Sequence, residues 1–181
     1  RIIGGKWRGR KIPFELGNGL RPTKEIVRET LFNWLDSHVP QSRCLDLFCG
    51  TGSLGLEALS RGASYCDFVD KSSSCTGALE LYLEELCVTN FCTVHLKDVA
   101  DFLSLSHRRY DIVFVDPPFN AGLLNQACRD LARKNLVAPG GMIYLEFPSS
   151  DTPNYIPPWW KIYREKQTGA VKYYLYLNSQ D

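Results

Sequence analysis

The chain has 181 residues, of which 44% are hydrophobic, and its formal net charge is +1 at pH 7. This length and composition predict one globular domain and exclude a disordered chain, and no apolar run approaches the roughly 20 residues of a membrane span. The seven cysteines are scattered and form no C-x-x-C pair, and the three histidines lack the spacing of metal ligands, which predicts reduced thiols and no metal site. We also see no signal-peptide pattern, so we predict a cytoplasmic protein.

The N-terminal segment is strongly basic. Residues 1–28 hold eight basic and two acidic side chains, whereas residues 29–158 hold nine basic and sixteen acidic ones. Glycines between short β-compatible runs predict a small β-hairpin in "RIIGGKWRGRKIPF". We therefore predict a basic arm over residues 1–23 and a main domain over residues 24–181. Such an asymmetry favours a polyanion partner, and the alternative is a flexible, solvated tail.

The rest of the chain alternates between strands and helices. A helix over "KEIVRETLFNWLDSH", with Thr23 as its N-cap, precedes five buried strand runs that are separated by helical segments: "CLDLF", "YCDFVD", "TVHLKD", "YDIVFVDPPF" and "GGMIYLEF". This alternation predicts an α/β fold with a parallel sheet covered on both faces. The last segment, "WWKIYREKQTGAVKYYLYLN", has no helix between its two halves, so it predicts an antiparallel hairpin at one edge of the sheet.

A glycine-rich loop follows the first strand. Gly50, Gly52 and Gly55 have the G-x-G-x-x-G spacing of a dinucleotide site, but Asp46 just ahead of them would repel a pyrophosphate. An acid there suits S-adenosylmethionine, which carries a sulfonium and an ammonium group and no phosphate. Asp70 lies twenty positions after Gly50, the offset of an acid that binds ribose hydroxyls.

Two of the acids have structural alternatives. Asp98, after the third strand, either accepts a hydrogen bond from the adenine amine of the cofactor or caps the following helix. Asp46 either faces the cofactor or caps the loop. The residue pattern leaves both pairs of alternatives open.

The motif "DPPF" follows the fourth strand. Its two prolines lack N–H donors, so the Asp116 carboxylate and the Pro117 carbonyl form a cluster of acceptors that suits an amino group. Phe119 offers an aromatic face for stacking a planar base. The alternative is a proline-rich turn that ends the strand.

"LDLFCGTGSLGLEALSRGA" together with "DPPF" resembles the methyltransferases that modify exocyclic amino groups of bases. "RIIGGKWRGRKI" and "RPTKEIVRETLFNWL", in this order before the loop, resemble the bacterial RsmD family, which methylates guanine N2 in 16S ribosomal RNA. The resemblance covers essentially the whole chain. It implies a class I, Rossmann-like methyltransferase fold with a mostly parallel seven-stranded sheet. It also implies small-subunit ribosomal RNA as the substrate. We further predict that the RNA is part of an assembling ribosomal particle and that the enzyme is a monomer, the alternatives being naked RNA and an oligomer.

The residue patterns and the resemblance together predict roles for particular residues. Those implied for S-adenosylmethionine are Asp46, Phe48, Gly50, Gly52, Asp70 and Asp98, those for catalysis are Asp116, Pro117 and Phe119, and those for RNA are Arg8, Arg10, Lys11 and Arg21. Arg21 and Thr23 would close over the cofactor or the target base. The competing hypotheses are a DNA adenine-N6 methyltransferase, ranked second, an NAD-dependent oxidoreductase, and a non-catalytic RNA-binding protein on the same scaffold.

Overall fold

A computed structural model describes residues 1–13, 25–118 and 121–181, with only the backbone of residue 121. The strands are β1 Arg43–Leu47, β2 Tyr65–Asp70, β3 Cys92–Leu96, β4 Tyr110–Val115, β5 Val137–Pro148, β6 Trp160–Thr168 and β7 Val171–Asn178. The helices are α1 Glu25–Trp34, α2 Ser53–Ser60, α3 Ser73–Glu85, α4 Val99–Leu105 and α5 Ala121–Arg133, with 3-10 turns at Gly5–Trp7 and Thr89–Phe91. Among the described residues, no helix has the length and apolar character needed to cross a membrane.

The strands form one seven-stranded sheet in the order β3-β2-β1-β4-β5-β7-β6. β1 to β5 are parallel to one another, and β7 pairs antiparallel with both β5 and β6. The predicted parallel sheet with a C-terminal antiparallel hairpin is therefore confirmed. The strand order reverses at β1, whose two neighbours are β2 and β4, and open α/β sheets bind their ligands at the carboxyl ends of such strands.

Two layers of helices bury the two faces of the sheet. α1, α2 and α3 cover one face, where Phe114 and Tyr144 belong to the first core cluster. α4 and α5 cover the other face, where Val113 and Val115 belong to the second. Successive residues of a strand point to opposite faces, which is why the β4 run "YDIVFV" is apolar almost throughout.

The described N-terminal residues differ from the predicted β-hairpin. Residues 1–13 contain no strand; their regular structure is the single 3-10 turn Gly5–Trp7. The segment nevertheless doubles back, since the Ile2 N–H donates to the Arg10 carbonyl at 2.9 Å and the Gly9 N–H donates to the Ile2 carbonyl at 2.8 Å. The prediction was wrong because the closely spaced glycines support a compact loop, which leaves too few residues for two strands.

This N-terminal segment is docked onto α2. Glu57, fully buried, accepts hydrogen bonds from the backbone N–H groups of Ile3 at 2.9 Å and Gly4 at 2.8 Å. The Trp7 N–H donates to the Ser60 hydroxyl at 2.9 Å, and the Trp7 ring is buried in the first core cluster. Residues 1–13 are thus part of the folded domain, contrary to the flexible-tail alternative. The predicted boundary between residues 23 and 24 lies outside the described residues.

Candidate active site

The loop between β1 and α2 and the first turn of α2 each depend on a glycine. Gly52 has φ +77°, and a Cβ there would lie 2.7 Å from the Leu79 Cδ1 atom. Gly55 lies in α2, and a Cβ there would lie 2.3 Å from the Phe68 Cε1 atom of β2. The glycines therefore allow a tight turn and close packing of a helix on the sheet, two of the roles of glycine in nucleotide-binding loops.

Two other loop residues predicted to bind the cofactor also have left-handed backbone conformations. Phe48, directly after β1, has φ +57° although it is not glycine, and Gly50 has φ +52°. The Phe48 ring packs against the second core cluster. A left-handed phenylalanine is uncommon, and such conformations cluster where a chain must present its backbone to a ligand.

Asp46 supports the loop from within the protein. Its side chain is only 2% exposed, and its Oδ2 accepts the Gly55 N–H at 2.9 Å. Burial, reinforced by the charge of Asp70, raises the pKa of Asp46 to about 8, while the Gly55 hydrogen bond acts in the opposite direction. The geometry thus gives Asp46 the structural role that the sequence left open, and a direct contact with the cofactor stays a prediction.

Asp70 ties the loop to the end of β2. Its Oδ2 accepts the Gly50 N–H at 2.8 Å, and its Oδ1 accepts the Ser72 N–H at 2.9 Å. An ionised carboxylate has about four acceptor positions, so these two bonds leave capacity for ribose hydroxyls. Asp70 is half-buried at the carboxyl end of its strand, as the ribose-binding prediction requires.

Asp98 follows β3, the strand next to β2, and so also lies at the carboxyl ends of the strands. Its Oδ1 accepts the Ala100 N–H at 2.9 Å, which makes it the N-cap of α4, and its side chain is exposed. The neighbouring Lys97 N–H donates to the Asp70 carbonyl at 3.0 Å, which holds the β3–α4 turn beside the end of β2. The helix-cap alternative is therefore observed, and the contact with adenine remains a prediction.

Asp116 and Pro117 lie directly after β4, next to the glycine-rich loop. Leu47 at the end of β1 pairs with Val115 at the end of β4. The glycine-rich loop and the Asp-Pro-Pro turn therefore both begin at the carboxyl ends of neighbouring strands. Asp116 and Pro117 are half-buried, and Pro118 is exposed. Phe119 lies outside the described residues, so its predicted stacking role is carried by the sequence alone.

A second acidic residue near this edge was not among the predicted site residues. Glu146 of β5 accepts a hydrogen bond at 2.7 Å from the hydroxyl of Tyr144, whose side chain is fully buried. Burial raises the pKa of Tyr144 well above its usual range, and the charges of Glu146 and Asp116 raise it further. The sequence signal was a carboxylate near the end of the fifth strand, but its relevance depends on β5 lying beside β4.

The predicted RNA-binding residues of the described N-terminal segment are on the surface. The side chains of Arg8, Arg10 and Lys11 are all exposed, although the segment itself is anchored on α2. The charge of Arg10 opposes the burial that raises the pKa of Tyr82 of α3. Arg21 lies outside the described residues, so its predicted contacts have no structural test.

Together the reversed strand order, the glycine-rich loop after β1 and the Asp-Pro-Pro turn after β4 define a class I, S-adenosylmethionine-dependent type of methyltransferase. The profile of the family described as conserved hypothetical protein 95 matches residues 1–177. The chain belongs to this family, and the resemblance to the RsmD family is confirmed.

Named relatives agree with this assignment. The chain is 43% identical over 181 residues to ribosomal RNA small subunit methyltransferase D of Haemophilus influenzae, covering 98% of this chain and 93% of the relative. It is 42% identical to the protein of that name from Escherichia coli, covering 97% and 88%. Among solved structures, a putative methyltransferase of Escherichia coli superimposes with a TM-score of 0.92 at 38% identity, covering 99% and 98%.

Proposed function

We propose that this protein transfers a methyl group from S-adenosylmethionine to the exocyclic N2 amine of a guanine in small-subunit ribosomal RNA. The observation that carries the proposal is the Asp116-Pro117-Pro118 turn at the carboxyl end of β4, beside the glycine-rich loop. The names of its relatives, which are ribosomal RNA small subunit methyltransferases, support the substrate. Since that substrate is bacterial ribosomal RNA, the proposal places the protein in the cytoplasm.

The glycine-rich loop and the acid at the end of β2 would hold the cofactor. Asp70 would accept hydrogen bonds from the ribose, and the backbone around Gly50 and Gly52 would lie against the methionyl part. Asp46 would support the loop from the protein interior, because its carboxylate accepts the Gly55 N–H and so fixes the start of α2. The bound cofactor supplies a methyl group that is already activated, so the protein's own task is positioning.

The acceptor cluster would orient the amine. The lone pair of guanine N2 is delocalised into the ring, which makes the amine a weak nucleophile. Asp116 and the Pro117 carbonyl would accept its two N–H bonds, favour a pyramidal nitrogen and direct its lone pair at the methyl group. Phe119 would stack on a base turned out of its helix.

Asp70→Ala should weaken S-adenosylmethionine binding by about 1–3 kcal/mol, because charge-assisted hydrogen bonds to the ribose are lost. Calorimetric titration measures this directly, and NAD serves as the negative control ligand for the unaltered protein. Since Asp70 also holds Gly50 and Ser72, thermal unfolding of the variant without cofactor should be recorded beside it. An unchanged affinity would show that Asp70 is not the ribose acceptor.

Replacing Arg8, Arg10 and Lys11 together with alanine should weaken RNA binding and flatten its salt dependence. The log–log slope should fall by up to about 3 if each cation meets a phosphate. The control variant removes three cations from the opposite helix layer, those of Arg129, Arg133 and Lys134. If both triple variants alter the slope equally, the N-terminal cations have no specific role in RNA binding.

The activity itself is tested in cells that lack this protein. Small-subunit RNA from those cells should be missing one N2-methylguanosine, and restoring the gene should restore it. We also propose that the substrate is an assembling ribosomal particle rather than naked RNA and that the enzyme is monomeric. Initial rates on the two substrates and the mass of the enzyme in solution test these two points separately.

A further inference from the structure

The register of β4 and β5 brings two carboxylates to neighbouring positions. Phe114 pairs with Tyr144 and Val115 pairs with Leu145, so the next residue of each chain segment is Asp116 on one side and Glu146 on the other. Residues paired across a sheet share a face, and neighbouring strands lie about 4.8 Å apart. Extending this register by one residue places Asp116 beside Glu146, and both charges act on the buried Tyr144 hydroxyl; we call the two residues the carboxylate pair.

The second member of the carboxylate pair is held in place. The Tyr144 hydroxyl donates to Glu146 Oε2 at 2.7 Å, and Tyr173 of β7 is paired with Glu146 on its other side. Both tyrosines are fully buried, whereas Glu146 is half-buried.

Two adjacent acceptors suit one edge of guanine. Its Watson–Crick edge presents the N1–H beside the N2 amine, so it offers neighbouring donors, whereas N1 of adenine is an acceptor. We propose that Glu146 accepts the N1–H of the target guanine while Asp116 accepts an N–H of its N2 amine. This inference rests on the proposed function and identifies the residue that selects guanine over adenine.

Selection would arise chiefly from rejecting the wrong base. Adenine would place the lone pair of its N1 against the Glu146 carboxylate, leaving two acceptors facing each other without a proton between them. A site built around a donor on its substrate rejects analogues that lack the donor by large factors, because its own polar group is left unpaired. The runner-up activity, methylation of adenine N6, is disfavoured for this reason.

The test substitutes Glu146→Gln and changes the target base. Small-subunit particles are assembled with RNA carrying either guanine or 2-aminopurine at the modified position; the latter keeps the N2 amine but has an acceptor at N1. We expect the variant to lose about 10²-fold in kcat/KM on guanine. Its preference for guanine over 2-aminopurine should fall at least tenfold, because the new amide can donate to N1. Glu165→Gln, an exposed position of β6, is the matched control.

Tyr144→Phe gives an independent readout, since it removes only the hydroxyl that holds Glu146. It should reduce the guanine preference in the same direction but by less, with S-adenosylmethionine affinity unchanged in both variants. Equal loss on both bases, or no change in preference, would overturn the assignment of Glu146 while leaving the proposed function intact. Failure of the unaltered enzyme to methylate guanine would instead refute the proposed function, and this inference with it.

Discussion

Asp116→Ala is expected to lower the rate of methyl transfer by about 10²-fold or more while leaving S-adenosylmethionine binding nearly intact. The half-buried carboxylate lies at the carboxyl end of β4, on the sheet edge where the glycine-rich loop also emerges. Its proposed contact is with the reacting amine and not with the cofactor, so its loss should appear in the chemical step. Single-turnover rates on undermethylated small-subunit particles measure this step.

Asp116→Asn separates two roles of the carboxylate. An amide keeps an acceptor oxygen but cannot take a proton at neutral pH. If Asp116 only orients the amine, the asparagine variant should retain much more activity than the alanine variant. If the carboxylate must accept a proton, the two variants should be about equally slow. Normal turnover in Asp116→Ala would remove Asp116 from the mechanism and leave the motif as a turn that ends a strand.

Glu57→Ala should lower the free energy of unfolding by about 3–5 kcal/mol, the largest stability effect that we expect. The carboxylate is fully buried and accepts the N–H groups of Ile3 and Gly4 as well as a hydrogen bond from Arg61 Nε at 2.8 Å. Its removal leaves these donors unpaired or forces the N-terminal segment to detach. Urea unfolding measures the loss, and Glu80→Ala on the exposed surface of α3 is the control, expected to change stability by less than about 0.5 kcal/mol.

The same variant also tests how the N-terminal segment acts on RNA. Detachment would leave the charges of Arg8, Arg10 and Lys11 on the chain but no longer hold them at a defined place. RNA affinity should therefore fall in Glu57→Ala although its formal charge becomes more positive by one. Unchanged stability together with unchanged RNA affinity would contradict the anchoring role of Glu57.

Periodicity and turn chemistry were sufficient to predict the sheet. The apolar run of β4, the glycines after β1 and the helix-free tail each define a local structure that the fold preserves. The ends of the helices were predicted less exactly, because tertiary packing helps to decide them. The first helix was predicted to reach His38 but ends at Trp34, whose ring stacks on that of Tyr173 with 5.5 Å between the ring centroids. The predicted N-terminal hairpin failed because the closely spaced glycines of the segment support a compact loop, which docks on α2.

The site was predictable only where one stretch of sequence carries it. Asp70 ends β2 and Asp116 follows β4, and both belong to recognisable spacings. Glu146 and Glu57 do not, since one matters only because β5 lies beside β4 and the other only because residues 1–13 fold back onto α2. The role of Asp46 was left open by the sequence between a contact with the cofactor and support of the loop. Its burial and its hydrogen bond to Gly55 show the second of these roles.

The most direct test of the central claim is methyl transfer with a defined product. The purified protein, labelled S-adenosylmethionine and small-subunit particles from cells lacking this protein are combined, and the RNA is digested to nucleosides. The proposed function predicts label in N2-methylguanosine at one position, with Asp116→Ala at least about 10²-fold slower. Label in N6-methyladenosine, or no transfer to either base, would contradict it.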